Sequence, residues 1–396
     1  MGLSKVTINV VSGLGKTAVE DDSVSGLVAD AVAIEGKLVL GQPLAVTSLS
    51  QLEALGVTRQ WDLTNKVMLW HHAAAFYDAA PEGTYLYVMP VSTGTAYTAL
   101  LSASDGQVKT LLDYAKGRIK LLAVSSMSET HAKLAAGIAA AQKLCDYMAA
   151  RNRPLSVLLE GRALPTTAGT ALDLHESTAN RVSVVVGNDA AVASELEEYE
   201  SYGAVGLALG TLAERSVNQS LARVKSGAVP VVTAGLSSGI ADGEADYTED
   251  LLEQLDDKGY ILLRSFATRA GYYWNRDYTA APLTDDCASI RMGRTLDKVV
   301  RIIDSRYTEE LGEDYEVDAS TGYMDAAVVK ALQSELNDAV MQQMSGEITD
   351  LQVNIDPEQN LITSERLVAA VRVVAHGIVA NIEVSLMAVS KIENND

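Results

Sequence analysis

Cysteine is scarce in this chain of 396 residues, and long apolar runs are missing. The 2 cysteines, Cys145 and Cys287, cannot build a disulfide framework or a zinc site made of cysteine ligands, so we expect folding in a reducing cytoplasm. No uninterrupted apolar run reaches the roughly 18 residues that a membrane-spanning helix needs. The first residues also lack the apolar core of a signal peptide. We therefore expect no direct membrane insertion.

Positive charge is also in short supply. The chain carries 31 Lys and Arg residues against 52 Asp and Glu residues, a formal net charge of −21. Because nucleic acids are themselves polyanions, we expect no nucleic acid partner. Hydrophobic residues make up 48% and charged residues 21% of the chain, which is typical of globular proteins. The length is sufficient for roughly two or three domains.

Four short apolar runs predict the centre of an α/β domain. They occupy residues 85–89, 119–124, 155–159 and 182–186, and each is too short for a helix. They begin roughly 30 residues apart with helical patterns between them, which is the spacing of β-α-β units. The sequence therefore predicts a mostly parallel sheet with flanking helices, to which residues 228–233 and 260–266 could add strands. A helix is predicted over residues 63–79.

The pattern changes after about residue 266. Long helices are predicted near residues 289–306 and 325–344, followed by strand-like runs at 348–355 and 367–374. Helices followed by strands, without alternation of the two, indicate an α+β domain. The predicted organisation is an N-terminal arm (1–20), an α/β domain (21–265), an α+β domain (266–380) and a C-terminal strand with its tail (381–396).

Both ends of the chain carry the alternation of a half-buried strand. The apolar members of the two patterns are Val6, Ile8 and Val10 at one end and Ile382, Val384 and Leu386 at the other. The N-terminal run stands apart from any local hairpin, so its backbone amides have no partner nearby in the sequence. A lone strand of this kind satisfies its backbone by joining a sheet, either its own or that of a neighbour.

One motif is typical of an enzyme. Residues 235–239 read Gly-Leu-Ser-Ser-Gly, which fits a nucleophile elbow with Ser237 as nucleophile, and His376 could act as its base. The elbow needs a helix directly after the serine, whereas the acidic, glycine-containing residues that follow favour a loop. His71 and His72 are adjacent on a predicted helix and point about 100° apart, so they cannot share a metal ion. We expect no catalysis, metal or cofactor, and keep an α/β serine hydrolase as the alternative.

Four basic residues in the predicted helix 289–306 form a feature that we call the basic stripe. They are Arg291, Arg294, Lys298 and Arg301. Spacings of three and four residues put them on one helix face, since each residue turns the helix by about 100°. The surrounding sequence is acidic, which leaves two interpretations open. The stripe either forms ion pairs with acids of the same chain or provides a docking face for an acidic partner.

Several segments occur in an order that is found in one known family. Residues 42–48, Gln-Pro-Leu-Ala-Val-Thr-Ser, precede a short predicted helix that ends at Gly56. Helix 63–79 precedes residues 83–88, Gly-Thr-Tyr-Leu-Tyr-Val, and residues 259–264, Gly-Tyr-Ile-Leu-Leu-Arg, precede Tyr-Tyr-Trp at 272–274. The basic helix, a second helix and closing strands complete the order. This layout resembles the sheath proteins of contractile phage tails, R-type pyocins and other contractile injection systems.

The resemblance implies a structural subunit that polymerises around an inner tube and contracts to drive it through a target envelope. Its expected partners are copies of itself in stacked hexameric rings, an inner tail tube protein, and baseplate and terminator proteins. Such a subunit assembles in the bacterial cytoplasm and becomes part of a phage tail or injection particle.

The resemblance also implies roles for particular parts of the chain. The α/β domain is expected to lie outside and the α+β domain to face the tube. The basic stripe is then expected to touch acidic side chains of the tube. The strand residues at both ends of the chain are expected to pair with neighbouring subunits.

Overall fold

The computed structural model describes residues 21–382 and residue 384. The predicted strand residues Val6, Ile8, Val10 and Leu386 lie outside these described residues. From the N-terminus, the elements are β1 (Ser25–Ala31), β2 (Leu44–Val46), α1 (Leu49–Ala54), α2 (Arg59–Asn65), α3 (Leu69–Ala79), β3 (Leu86–Ser92), α4 (Tyr97–Leu100), α5 (Gln107–Tyr114), β4 (Leu121–Val124), α6 (Leu134–Ala149), β5 (Ser156–Glu160) and β6 (Val182–Val185). The chain continues with β7 (Gly187–Asp189), α7 (Ala190–Ala193), α8 (Val205–Glu214), β8 (Ala234–Leu236), α9 (Glu249–Asp256), β9 (Leu263–Phe266), β10 (Arg269–Trp274), α10 (Ile290–Thr308), α11 (Ala326–Gln343), β11 (Ile348–Ile355), α12 (Leu361–Ser364) and β12 (Ala369–Ala375).

A six-stranded sheet forms the centre of the N-terminal part, in the order β2-β3-β1-β4-β5-β6. The strands β3, β1, β4, β5 and β6 are parallel, whereas β2 runs antiparallel to β3 at the edge. The four predicted apolar runs are the strands β3 to β6. The prediction of a mostly parallel sheet with flanking helices is therefore confirmed. Buried apolar clusters cover both faces of the sheet, as a parallel sheet requires.

The central strand β1 is not predicted by the sequence analysis. Its residues, Ser-Gly-Leu-Val-Ala-Asp-Ala, include a glycine and a carboxylate, so they do not stand out as an apolar run. All of them are buried, and Asp30 is only 1% exposed. Strand β1 lies between β3 and β4, and this position buries it even though some of its residues are polar.

The predicted helix over residues 63–79 is wrong in its extent. Two helices, α2 and α3, occupy this region, and α2 ends at Lys66, which adopts a left-handed conformation (φ 56°). The Asp62 carboxylate accepts a hydrogen bond from the His71 backbone amide (2.9 Å). This bond satisfies one of the amides that the first turn of α3 leaves without a helical partner. The predicted strand at 228–233 is also misplaced, because the strand in this region is β8, at Ala234–Leu236.

Helices α10 and α11 pack against the antiparallel pair β11–β12. Val299 of α10 and Leu336 and Val340 of α11 share an apolar cluster with Ile348 of β11. The predicted α+β arrangement in this part of the chain is therefore present. Helix α10 also touches β5 of the large sheet, so it lies between the two parts of the molecule.

The hairpin β9–β10 spans the predicted domain boundary between residues 265 and 266. Trp274 at its end is buried in the core beneath the large sheet and donates from Nε1 to Thr211 Oγ1 (3.3 Å). The hairpin therefore packs with the α/β part of the chain.

Candidate functional site

Ser237 and His376 do not form a catalytic pair. Ser237 is buried, and its Oγ donates to the Gly161 carbonyl oxygen (2.5 Å). The His376 ring instead contacts the side-chain amide of Asn218, with 3.1 Å between Nδ1 and Nδ2. A turn follows Ser237, and the next helix begins only at Glu249, so the strand–serine–helix geometry of a nucleophile elbow is absent there. The serine hydrolase alternative is not supported.

The adjacent histidines, His71 and His72, have structural roles in the N-terminal part of the chain. His71 Nδ1 lies 2.9 Å from Asp62 Oδ2, and its Nε2 lies 3.3 Å from Glu195 Oε2. Burial lowers the pKa of His72 to about 4, so this ring is neutral near pH 7. Within residues 21–382, His, Cys, Asp and Glu side chains form no group that could hold a metal ion. The same residues include no helix with the length and apolar character needed to cross a bilayer.

A buried polar cluster occupies the carboxyl ends of the central strands, where α/β sheets often bind ligands. Glu160 lies at its centre and accepts from Ser125 Oγ (2.6 Å), from the Gly203 amide (3.1 Å) and from Arg162 Nη1 (3.0 Å). Burial raises the pKa of Asp30, at the end of β1, to about 6. The chain's own side chains therefore occupy the place at the carboxyl ends of the strands where a ligand would otherwise bind.

The basic stripe lies on α10 as predicted, but its side chains point into the molecule. Arg294 is 4% exposed and Arg301 is 7% exposed. Arg294 donates from Nη2 to the Arg215 carbonyl oxygen (3.1 Å), directly after the C-terminus of α8. A cation is favourable at this end of a helix because the last carbonyl groups carry partial negative charge. Burial lowers the pKa of Arg294 to about 10, so it stays charged near pH 7.

The two C-terminal residues of the stripe, Lys298 and Arg301, pair with carboxylates from distant parts of the chain. Lys298 Nζ lies 2.7 Å from Asp22 Oδ2 and 2.7 Å from Glu347 Oε2. Arg301 Nη2 lies 2.5 Å from Asp22 Oδ1. Burial alone would lower the pKa of Lys298, but its hydrogen bonds to Asp22 and Glu347 outweigh this and raise it. Asp22 therefore joins the beginning of the described chain to α10.

The first residue of the stripe contacts the other end of the described chain. Arg291 Nη1 donates to the His376 carbonyl oxygen (3.1 Å), just after β12. A further ion pair attaches α10 to the large sheet, since Arg181 Nη2 lies 3.0 Å from Asp297 Oδ1. Burial raises the pKa of Asp297 even though Arg181 acts in the opposite direction.

These contacts favour the first interpretation of the stripe, ion pairing within the chain. Contact of Arg291, Arg294, Lys298 and Arg301 with an inner tube stays a prediction, because it concerns a second protein. The helical spacing correctly put the four residues on one face, but no local pattern indicated their partners. Asp22 and Arg301 are 279 residues apart in the chain.

The C-terminal segment after β12 presents apolar side chains to solvent. Ile382 is 79% exposed and Val384 is 80% exposed, and neither belongs to a strand of this single chain. Ile378 and Val379 are exposed as well. Among the described residues, β11 and β12 form a sheet of two strands, so each has an outer edge without a strand partner.

Two family models cover most of the chain. The model of the DUF2586 N-terminal domain matches residues 3–277, and that of the DUF2586 C-terminal domain matches residues 286–393. The chain belongs to the DUF2586 family. No curated protein matches the sequence of this DUF2586 protein.

Solved structures with the same fold come from contractile machines. A protein of the anti-feeding prophage baseplate is 15% identical, with a TM-score of 0.60, and the match covers 98% of this chain and 99% of that one. A protein of the contracted sheath complex of PVC, an extracellular contractile injection system, is 13% identical with a TM-score of 0.59 and 98% coverage of both chains. A sheath tail protein from Desulfitobacterium hafniense is 12% identical with a TM-score of 0.51, covering 94% of this chain and 100% of that one. The DUF2586 protein thus has the fold of contractile sheath proteins.

Proposed function

We propose that this DUF2586 protein is a structural subunit of a contractile sheath. The observation that carries the proposal is the similarity of fold over 98% of both chains to a protein from a contracted sheath complex. In this role the protein polymerises around an inner tube and contracts to drive the tube through a target envelope. Its partners are copies of itself, the tube protein, and the baseplate and terminator proteins of a phage tail or injection particle.

We further propose that the two ends of the chain link neighbouring subunits as exchanged strands. The open edges of β11 and β12 support this proposal, because a strand edge with unpaired N–H and C=O groups accepts a further strand. The exposed Ile382 and Val384 also support it, since a strand that docks on a sheet would bury them. The alternating Val6, Ile8 and Val10 would supply the second added strand. Such links hold subunits together while rings slide and rotate.

Sedimentation and negative-stain imaging of the purified protein test this function. Wild-type protein should form rings or helical particles, and deletion of residues 1–12 should leave a folded, non-assembling monomer. A sharper variant replaces Val6, Ile8 and Val10 with serine, because it keeps the length of the segment. Its matched control replaces the intervening Thr7 and Asn9 with serine. We expect the first variant to lose assembly and the control to keep it; particles of normal yield from the first variant would contradict strand exchange.

A further inference from the structure

Both ends of the described chain meet the same face of one helix. Asp22, near the beginning, pairs with Lys298 and Arg301 of α10. The backbone after β12 meets the same face at Arg291, which donates to the His376 carbonyl oxygen. Arg291 and Arg301 are about 15 Å apart along the helix axis at 1.5 Å per residue. Asp22 and the His376 carbonyl group are therefore held at a defined spacing along α10.

These ion pairs differ from ordinary surface pairs in their shielding from water. The side chains of Lys298 and Asp22 are 14% and 16% exposed, and that of Arg301 is 6% exposed. Glu347, which precedes β11, approaches the same ammonium group and so connects the pair to the small sheet. Shielded pairs of this kind are screened by salt much less than exposed ones.

We propose that three residues of the basic stripe form an arm anchor, which fixes the chain at Asp22 and at His376, next to the terminal segments 1–20 and 381–396 that we propose to be exchanged. The arm anchor consists of Arg291, Lys298 and Arg301 with their partners Asp22, Glu347 and the His376 carbonyl group. Its role in assembly rests on the proposed strand exchange. A segment whose root is already fixed loses less conformational freedom when it binds a neighbour, so the anchor makes each exchanged strand bind more tightly.

Asp22→Asn is the variant that tests the N-terminal side of the arm anchor. It removes the charge that Lys298 and Arg301 share, with almost no change in volume. Asp21→Asn is its matched control, because Asp21 is exposed and accepts hydrogen bonds from Ser23. The minimum subunit concentration for particle formation should rise about tenfold in Asp22→Asn, as expected if one more residue must be ordered on assembly. Asp21→Asn should stay within about twofold of wild type. An equal effect of both variants, or no effect of Asp22→Asn, would overturn the proposal.

Arg291→Met tests the C-terminal side in the same assay. Its control is Arg366→Met, since Arg366 is exposed and its side chain has no ion pair within the described residues. We expect a rise of about tenfold for Arg291→Met and no measurable change for the control. Unchanged assembly by Arg291→Met would remove the C-terminal segment from the proposal.

A measurement on the single chain separates the arm anchor from the sheath function. In a double-mutant cycle, Asp22→Asn and Lys298→Met should be coupled by a factor of at least about five in the unfolding equilibrium constant. Lys330→Met replaces Lys298→Met in the control cycle, because Lys330 is exposed on α11 without an ion pair in the described part of the chain. It should show no coupling to Asp22→Asn. Absence of coupling between positions 22 and 298 would overturn the anchor even if sheaths form. Failure of the wild type to assemble would overturn the sheath function and leave this test of the anchor intact.

Discussion

Reversal of the charge at Arg294 separates the two interpretations of the basic stripe. If the stripe faced a tube across solvent, Arg294→Glu together with Lys298→Glu would give a folded subunit that forms contracted or tube-free sheaths. The structure instead buries the Arg294 side chain against the Arg215 carbonyl oxygen. We therefore expect Arg294→Glu alone to destabilise the isolated subunit, in the absence of any partner protein.

The size of the destabilisation by Arg294→Glu follows from the groups that the new carboxylate would contact. It would leave the Arg215 carbonyl oxygen without its donor, at a cost of about 1–3 kcal/mol. Asp22, Glu347 and Asp277 attract the Arg294 guanidinium and would repel a glutamate, whereas Arg301 repels the guanidinium and would attract the glutamate. A buried charge without a partner costs about 3–5 kcal/mol, which is the upper bound here and a large part of the stability of most domains. Arg294→Met, which removes the donor without adding a negative charge, should cost less.

Urea denaturation followed by circular dichroism measures this effect. We expect the unfolding midpoint of Arg294→Glu to fall by roughly 1 M or more, and that of Arg294→Met to lie between it and the wild type. Lys330→Glu is the matched control: it makes the same change of charge at an exposed position of α11 and should change stability by less than about 0.5 kcal/mol. A wild-type midpoint for Arg294→Glu would refute the argument from burial and restore the solvent-facing interpretation.

Three further predictions concern packing, the serine motif and pH. Gly210→Ala should destabilise the chain by about 2 kcal/mol in urea denaturation, because an added Cβ would lie 2.3 Å from the Phe76 carbonyl oxygen, a backbone atom that cannot move aside. In contrast, Gly293→Ala, where the nearest atom lies 3.5 Å away, should be neutral or stabilising, and equal effects of the two would contradict the reasoning. Ser237→Ala should lose about 1 kcal/mol with its buried hydrogen bond and show the same fluorophosphonate labelling as wild type; labelling that disappears in the variant would revive the hydrolase. Burial raises the pKa of Asp30 from 3.8 to about 6, so the folded state binds this proton more readily and is stabilised as the pH falls through 6 towards 4. Relative to Asp30→Asn, the wild type should gain about 2.4 kcal/mol of unfolding free energy between about pH 7 and about pH 4, and a difference that does not change with pH would contradict this assignment.

Local patterns in the sequence determined much of the architecture. The apolar runs of β3 to β6 are recognisable because strands buried on both faces need apolar residues at nearly every position. The long helices α10 and α11 were predicted within two residues of their observed ends, since their apolar residues recur with the helical period. The single helix face shared by Arg291, Arg294, Lys298 and Arg301 also follows from local spacing alone.

Tertiary contacts decided the features that no local pattern encodes. Strand β1 carries a buried carboxylate, Asp30, which is tolerated because the Met127 backbone amide donates to it. The break between α2 and α3 depends on Asp62, whose side chain accepts from the first turn of the second helix. The direction of the basic stripe was decided by Asp22, which meets Arg301 across 279 residues of sequence. Periodicity determines which residues share a helix face, but the fold brings the distant partners to that face and so decides whether it points to solvent or to the interior.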